Sequence, residues 1–324
     1  MNERYITNRD LIKECWHYAK HLLRYNASVH TDDDRQKMEY TLLRESHVLE
    51  KGLSLKAPKR GFGQAKVSAL MDRLMLYHDR YGMENPDFLM YPLGVIKSYL
   101  EYQSKTGVDI RPLKQMFGSL LDNCGLTPDL ITVEGGTFKM TREEIQKVRQ
   151  IDFEGFVRLR HSIRNFTGEM PNEEMINKAL KIASLTPSVC NRQGWKTHVF
   201  RGNAASDLLV WHSGAKGFED CVHLAILITS DSKAFLRYEP HQAFVDGGMY
   251  AMSLIYALHS QGLGTIPLSC GVRFSRLDEL RKQFDIPENE EPIVIIGVGV
   301  LPEEFSVAVS KRKNISETNI DHVL

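Results

Sequence analysis

Two short segments of the chain carry side chains whose types and spacing suit chemistry. In Arg160-His161-Ser162-Ile163-Arg164-Asn165-Phe166, two guanidinium groups flank a serine just ahead of a helix. Arginine offers a planar fork of N–H donors that matches phosphate oxygens two at a time, and a small serine adds its hydroxyl and backbone N–H. The segment therefore suits a phosphate; the other reading is a solvated charged turn. The second segment, Thr186-Pro187-Ser188-Val189-Cys190-Asn191-Arg192-Gln193-Gly194-Trp195, ends a helix and runs straight into a strand. Its Asn and Gln amides hold donors and acceptors side by side, as does the polar edge of a flat heterocycle. An ordinary helix-to-strand turn uses Gly, Asn and Ser as well, so composition alone leaves both readings open.

Other patterns carry less. His17 and His21 stand one helical turn apart, but the glutamate of an H-E-x-x-H site is missing and no third ligand is evident, so no metal is expected. His47, Glu50 and Lys51 precede Gly52 and read as an i,i+3 pair with a glycine stop. A sharper reading makes them, with the basic loop through Gly61-Phe62-Gly63, a lid or a substrate recognition surface. Gly262-x-Gly264 follows a helix where the dinucleotide fingerprint needs a strand before it and a helix after it, so a helix end and a tight turn are expected. Gly297-x-Gly299 lies inside a strand and marks close backbone packing. Cys190 and Cys270 have no activating partner in sequence and read as packing residues.

The elements that must position these groups come in two styles. From Arg9 to about Gly125 apolar residues recur at helical spacing with no long alternation. Leu11, Ile12, Cys15, Trp16, Ala19, Leu22 and Leu23 form one stripe; a second helix around Met38–Leu49 stops at Gly52; a third covers Ala65 to about Tyr81; a fourth follows Pro86. Around GLTPDLITVEGGTFKM turn-forming and β-branched residues take over, and Thr141 with Glu144 makes a capping box that opens a new helix. Beyond it the types alternate: helix 172–184, strands 197–201 and 223–229, helices 242–261 and 275–284, strand 292–300. HLAILITS and PIVIIGVGV are apolar throughout, as strands in the middle of a helix-covered sheet are.

Composition limits the function classes. In 324 residues, 41 basic and 41 acidic side chains cancel, so no global field draws the chain to nucleic acid or to an anionic membrane. Any anion must be held by a local cluster. The five cysteines are scattered and odd in number, which argues against a disulfide framework and fits a reducing cytoplasm. No stretch is apolar and long enough for a membrane span, and the first residues lack an export signal's apolar core.

Order and spacing say more. R-x-S-x-R-x-F, then P-S-x-x-N-x-Q-x-W, then Asp246-Gly247-Gly248-Met249-Tyr250-Ala251-Met252 leading into Gly262-Leu263-Gly264-Thr265-Ile266-Pro267-Leu268-Ser269-Cys270-Gly271, and last Ser310-Lys311-Arg312-Lys313, resemble the FMN-dependent nitroreductase family over about half the chain. The resemblance implies an α+β fold, a sheet flanked by helices; the change of pattern around GLTPDLITVEGGTFKM sets an all-α N-terminal domain before it, with residues 1–135 and 136–324 as the two domains. It implies a homodimer that shares two FMN sites at its interface. Carried over, Arg160, His161, Ser162 and Arg164 would hold the FMN phosphate and ribityl chain, joined by Arg312. Asn191 and Gln193 would line the pocket, and Pro187, Ser188 and Val189 would reach the flavin of the other subunit. Pro267 and Leu268 would lie by one ring face, with the backbone at Ser269 and Cys270 near N5 and O4.

Three arginines against a phosphate of nearly −2 make a tight anion site possible in a chain of zero net charge. On this reading the flavin carries the chemistry and no side chain acts as acid, base or nucleophile: NADH or NADPH gives hydride, and an organic acceptor such as a nitro, quinone or enone compound takes the electrons. Two rivals stand beside it, a dedicated flavoprotein dehydrogenase or flavin-consuming enzyme for one metabolite, and a flavin-binding interaction module without turnover. The sequence departs from the family at Gly194, where proline is usual, and between Phe200 and Asp220, which is short where relatives place helices that shape the substrate channel.

Overall fold

A computed structural model describes residues 7–28, 34–131, 135–149 and 151–322. Five long helices come first: α1 (Asn8–Tyr25), α2 (Arg35–Leu53), α3 (Gln64–Tyr81), α4 (Pro86–Ser104) and α5 (Arg111–Asn123). Helices α2 to α5 close on one apolar core that includes Met38, Leu42, Leu70, Ile96, Tyr99 and Leu120. Gly52 does not stop α2, which continues to Leu53. The Phe62 ring lies 2.2 Å from where a Cβ of Gly52 would sit, so this glycine makes room for a ring. The α5 helix is absent from the sequence-based expectation, although Leu113, Phe117, Leu120 and Leu121 recur at helical spacing and are buried on one face.

The stripe of α1 is not buried. Leu11, Ile12, Trp16 and Leu23 are each more than half exposed, and no α1 residue is fully covered. The opposite, polar side of α1 docks on the C-terminal half. Glu14 accepts from the Phe274 N–H at 2.9 Å, His21 Nε2 and the Ser232 hydroxyl are 2.8 Å apart, and Tyr25 donates to Glu288 at 2.5 Å. Helicity was legible in this segment, and the buried face was not.

Thr132, Val133 and Glu134 of the turn-rich stretch lie outside the described residues. Beyond them, Gly135 and Gly136 press on α4, with a Cβ on Gly135 meeting the Val95 backbone nitrogen at 2.3 Å. The Thr141–Glu144 capping box then opens α6 (Arg142–Val148), as its sequence predicts, and α7 (Phe153–Leu159) and α8 (Glu173–Ala183) follow.

The C-terminal half is built on β1 (Trp195–Arg201), α9 (Asn203–His212), β2 (Leu224–Asp231), α10 (Gln242–Ser260), β3 (Leu263–Ser269), α11 (Phe274–Phe284) and β4 (Glu290–Val300). The strands form one antiparallel sheet in the order β1-β2-β4-β3. All eight residues of β2 are buried, because helices cover both faces. Leu224, Ile226 and Ile228 face α8 and α10, while Ala225 and Leu227 face α9 and α11; successive side chains of a strand point to opposite faces. The chain is α+β, a helical N-terminal part followed by a helix-flanked sheet.

Both glycine pairs serve packing. The Phe166 ring lies 3.0 Å from a Cβ built on Gly264 and 2.5 Å from one built on Gly299, so any side chain at either position would displace it. Gly262, at φ +76° just past α10, turns the chain into β3.

Candidate functional site

Residues 162–167 follow the end of α7 and run along β3. Ser162 bridges Thr265, and the Ile163 N–H donates to the Thr265 carbonyl at 2.9 Å. Ile163 is buried, whereas Arg160, His161 and Ser162 are half-buried and Arg164 is exposed. Backbone pairing and one apolar anchor thus hold the segment while its polar side chains stay available. Neither Arg160 nor Arg164 meets a carboxylate among the described residues. His259 of α10 joins them: its pKa is lowered, first by burial, and Arg160 and His161 add to that lowering. Its Nε2 donates to the Phe156 carbonyl at 3.1 Å. The result is a local excess of positive charge, the condition for holding a phosphate. Sequence reasoning did not find His259, which is about a hundred residues away and is brought in only by α10.

The second segment is held in an unusual backbone. Cys190, Asn191 and Gln193 have φ of +49°, +53° and +50°, a left-handed region that costs L-residues on the order of 1 kcal/mol each. Several contacts impose it. Asp246 of α10, buried, accepts from the Val189 N–H at 3.1 Å and from Gln242 at 2.8 Å. Ser188 accepts from the Gln193 N–H at 2.9 Å. Arg192 is buried and pairs in bidentate fashion with Glu239, at 2.8 and 2.9 Å, while its Nε donates to the Val189 carbonyl at 3.1 Å. A short apolar contact set around Phe235, including Tyr40 and Val189, closes the loop from below. Gly194 has no room for a larger residue, since its Cβ would stand 2.8 Å from that of Ala234.

The helical half also reaches this loop. Glu50 of α2 accepts from the Tyr91 hydroxyl of α4 at 2.7 Å, from the Gly136 N–H at 3.1 Å and faces His47 Nδ1 at 3.4 Å. Tyr40 of α2 packs with Val189 of the loop in the apolar set around Phe235, and burial raises the Tyr91 pKa. His47 and Glu50 are therefore the i,i+3 pair that their spacing predicts, with added ties to Tyr91 and Gly136 that no sequence pattern carries. Pro187 is exposed, and Ser188, Val189 and Asn191 are half-buried; Gln193 is exposed with its amide on Asn191 Oδ1 at 3.2 Å.

At the third segment β3 ends. Pro267 and Ser269 are exposed and Leu268 and Cys270 are buried. Burial pushes the Cys270 thiol up to about 12, so it is a packed and inert group. His212 Nε2, from the end of α9, donates to the Ser269 carbonyl at 2.8 Å. The shortened stretch after Phe200 thus contains a helix whose last residue braces this turn. The strand registers put Trp195, Asp231, Ser269 and Glu290 at one end of the sheet. The 186–194 loop and the 269–271 turn accordingly share that end, on its two edges.

Arg312 is not brought to this group within the chain. It lies in an exposed tail beyond β4 and donates to the Ser310 carbonyl at 3.2 Å. His17 and His21 do not make a metal site: His17 stacks on Phe274 at 5.8 Å, and among the described residues no group of three or more His, Cys, Asp or Glu could hold a metal ion. No helix among them is long and apolar enough to cross a membrane.

Comparison with known proteins decides the family. A profile described as the nitroreductase family matches residues 157–300. A protein of Archaeoglobus fulgidus named "Putative NADH dehydrogenase/NAD(P)H nitroreductase" is 30% identical over 149 residues, which is 83% of that protein and 45% of this chain. The chain belongs to the nitroreductase family. A protein of the same name from Methanothermobacter thermautotrophicus is 26% identical over 153 residues, 79% of its length and 47% of this chain. Among solved structures, an FMN-dependent nitroreductase from Clostridium difficile overlays 52% of this chain and 99% of its own, at 21% identity and a TM-score of 0.45. The family match starts inside α7. The helices before α7 lie outside it.

Proposed function

We propose that this nitroreductase family member binds FMN, accepts hydride from NADH or NADPH and reduces an organic acceptor of the nitro, quinone or enone class. The observation that carries the reading is the pair of guanidinium groups at Arg160 and Arg164, held on a fixed backbone beside β3 with no carboxylate among the described residues to neutralise them. The residues present fit a flavin mononucleotide. Arg160, His161, Ser162 and Arg164 hold its phosphate end. Asn191 and Gln193 present amides to the polar edge, and the backbone of Ser269 and Cys270, beside Pro267 and Leu268, faces the redox-active edge. Bound there, the flavin supplies the hydride-accepting and electron-donating chemistry. The chain supplies position: Asp246 and Arg192 fix the loop, and His212 fixes the turn.

The functional unit in this proposal is a cytoplasmic homodimer in which the tail carrying Arg312 reaches the phosphate site of the partner. Phe244, Val245 and Met249 of α10, Met175 and Ile182 of α8, and the outer stripe of α1 are large apolar residues open to solvent. Apolar exposure of this extent marks a protein contact surface. Residues 1–135 form the accessory domain of this scheme, and residues 136–324 form the flavin domain.

One observation favours a dedicated acceptor over a broad range. Tyr40 of α2 packs with Val189 of the 186–194 loop, so the helical half can shape what reaches the site. An absorption spectrum of the purified protein, followed anaerobically during addition of NADH or NADPH, tests the proposal. Flavin bands that bleach with a reduced nicotinamide sustain it. A colourless protein that takes up no added FMN overturns it.

A further inference from the structure

A cleft of about 680 Å³ lies between α1 and α11, bordered by His17, Lys20, His21, Arg24 and Tyr25 on one side and by Phe274, Asp278, Arg281, Lys282, Ile286 and Glu288 on the other. Half of this cleft comes from the helix that precedes the nitroreductase match. Its charge is uneven. Four cations, Lys20, Arg24, Arg281 and Lys282, face two carboxylates, Asp278 and Glu288.

The carboxylates are already committed. Glu288 accepts from Tyr25 at 2.5 Å and pairs with Arg24 at 3.2 Å. Asp278 stands 3.5 Å from Arg281. The Lys20 ammonium meets only the face of Trp16, 5.3 Å from the ring centre, and Lys282 has no ion pair among the described residues.

The innermost cation is short of acceptors. Arg281 is 7% exposed, and its Nη2 donates to the Glu290 carbonyl at 3.1 Å. The nearest carboxylate behind it, Glu291, is 3.5 Å away and is itself buried. The Arg281 Nε–H, fully covered, finds no acceptor at all among the described residues. A buried guanidinium normally has its donors satisfied. Next to it, His21 is pushed down to about 4, first by burial and then by the fields of Arg281 and Arg24, with Glu288 opposing.

We propose that the α1–α11 cleft is an anion-binding site, separate from the Arg160–Arg164 segment, that takes a small molecule bearing a phosphate or carboxylate group. Lys20 and Lys282 meet the anion from the two rims, Arg281 sets the charge of the floor, and the stacked His17 and Phe274 rings offer an apolar wall to the rest of the ligand. The volume exceeds that of a lone phosphate and admits a phosphorylated or polycarboxylate metabolite. Two sources share this chemistry, a free anionic metabolite and the phosphates of the nicotinamide donor. Because α11 begins a few residues after the 269–271 turn, the second source is sterically reasonable as well.

Calorimetric titration of the FMN-loaded protein with pyrophosphate, AMP and citrate tests this, against sodium chloride at matched ionic strength. The parent chain is compared with the double variant Lys20→Glu, Lys282→Glu. Both lysines are exposed, so circular dichroism and flavin content equal to the parent's are expected of the variant and are checked first. Saturable binding of one probe per chain is expected, with Kd raised about ten-fold or more in the variant. Absence of saturable binding for all three probes overturns the proposal, as does an unchanged Kd in the variant. A KM for NADPH that rises in parallel assigns the anion to the donor, and an unchanged KM assigns it to a separate metabolite. If the protein takes up no FMN, the flavin reading fails. The lysine variant still separates this cleft from Arg160 and Arg164, since only a cleft site responds to it.

Discussion

Arg192 and the Arg160–Arg164 pair lie in neighbouring parts of one family match, yet their surroundings are opposite. Arg192 is 2% exposed and spends its guanidinium on Glu239 and the Val189 carbonyl. Arg160 and Arg164 stand in or near solvent with no carboxylate partner among the described residues. A neutralised arginine stabilises a shape, and an unneutralised one is available to a ligand. The same residue type thus does two jobs, and counter-charge separates them.

The largest effect expected from this contrast is at Arg192. Arg192→Ala leaves Glu239 half-buried without its partner and should cost about 3–5 kcal/mol of stability, read as a fall in the denaturation midpoint with and without FMN. An unchanged midpoint would break the distinction. The double variant Arg160→Ala, Arg164→Ala should behave the other way. Its stability without flavin stays within about 0.5 kcal/mol of the parent, while FMN affinity falls on the order of 100-fold through loss of charge-assisted hydrogen bonds. Equilibrium dialysis reads the affinity, and an equal loss of stability would make these arginines structural.

Arg281 is the intermediate case, buried but incompletely paired, and it can be read through its neighbour. Burial raises the Glu291 carboxyl from 4.5 to about 7, with Arg281 opposing the rise. Between those values the folded chain keeps a proton that the unfolded chain has released, so Glu291 lowers stability progressively as pH rises through the window. Glu291→Gln removes that loss. It should gain up to about 3 kcal/mol relative to the parent on going from the acid to the neutral end, measured by urea denaturation across the range. His21 runs in the opposite sense: with a folded value near 4 against 6.5, the stability it contributes is lost as pH falls through that interval. The His21–Glu291 contact at 3.6 Å is thus one between two largely neutral groups near pH 6, and it is no ion pair there.

The smallest effect concerns the tie from the helical half. Tyr40→Phe removes the hydroxyl that α2 donates to Asp231 at 3.1 Å, beside Gly194 of the loop, and should cost about 1 kcal/mol, seen as a several-fold weaker FMN affinity. An affinity equal to the parent's would place the helical half outside the site.

Much of the fold was legible because its cues are local. The capping box at Thr141, the apolar runs of β2 and β4 and the periodicity of α8, α10 and α11 each lie within a few residues of the element they specify. Other elements escaped for physical reasons. Strand β3 contains Gly264 and Pro267, residues that weaken a strand signal and that are tolerated here by close packing under Phe166 and an edge position. Helix α9 occupies the shortened stretch after Phe200. The outward stripe of α1 shows that apolar spacing reports a helix without reporting which neighbour covers it.

The site divides in the same way. The sequence by itself determined the family, the charged and amide-bearing segments and their order, because these depend on residue types at fixed short spacings. Only the tertiary structure decided which charges are spent and which are free. Glu239, Asp246, His212 and His259 reach the motif residues from distant parts of the chain, and electrostatics and hydrogen bonding act through space. A spacing rule cannot encode a partner that α9 or α10 delivers.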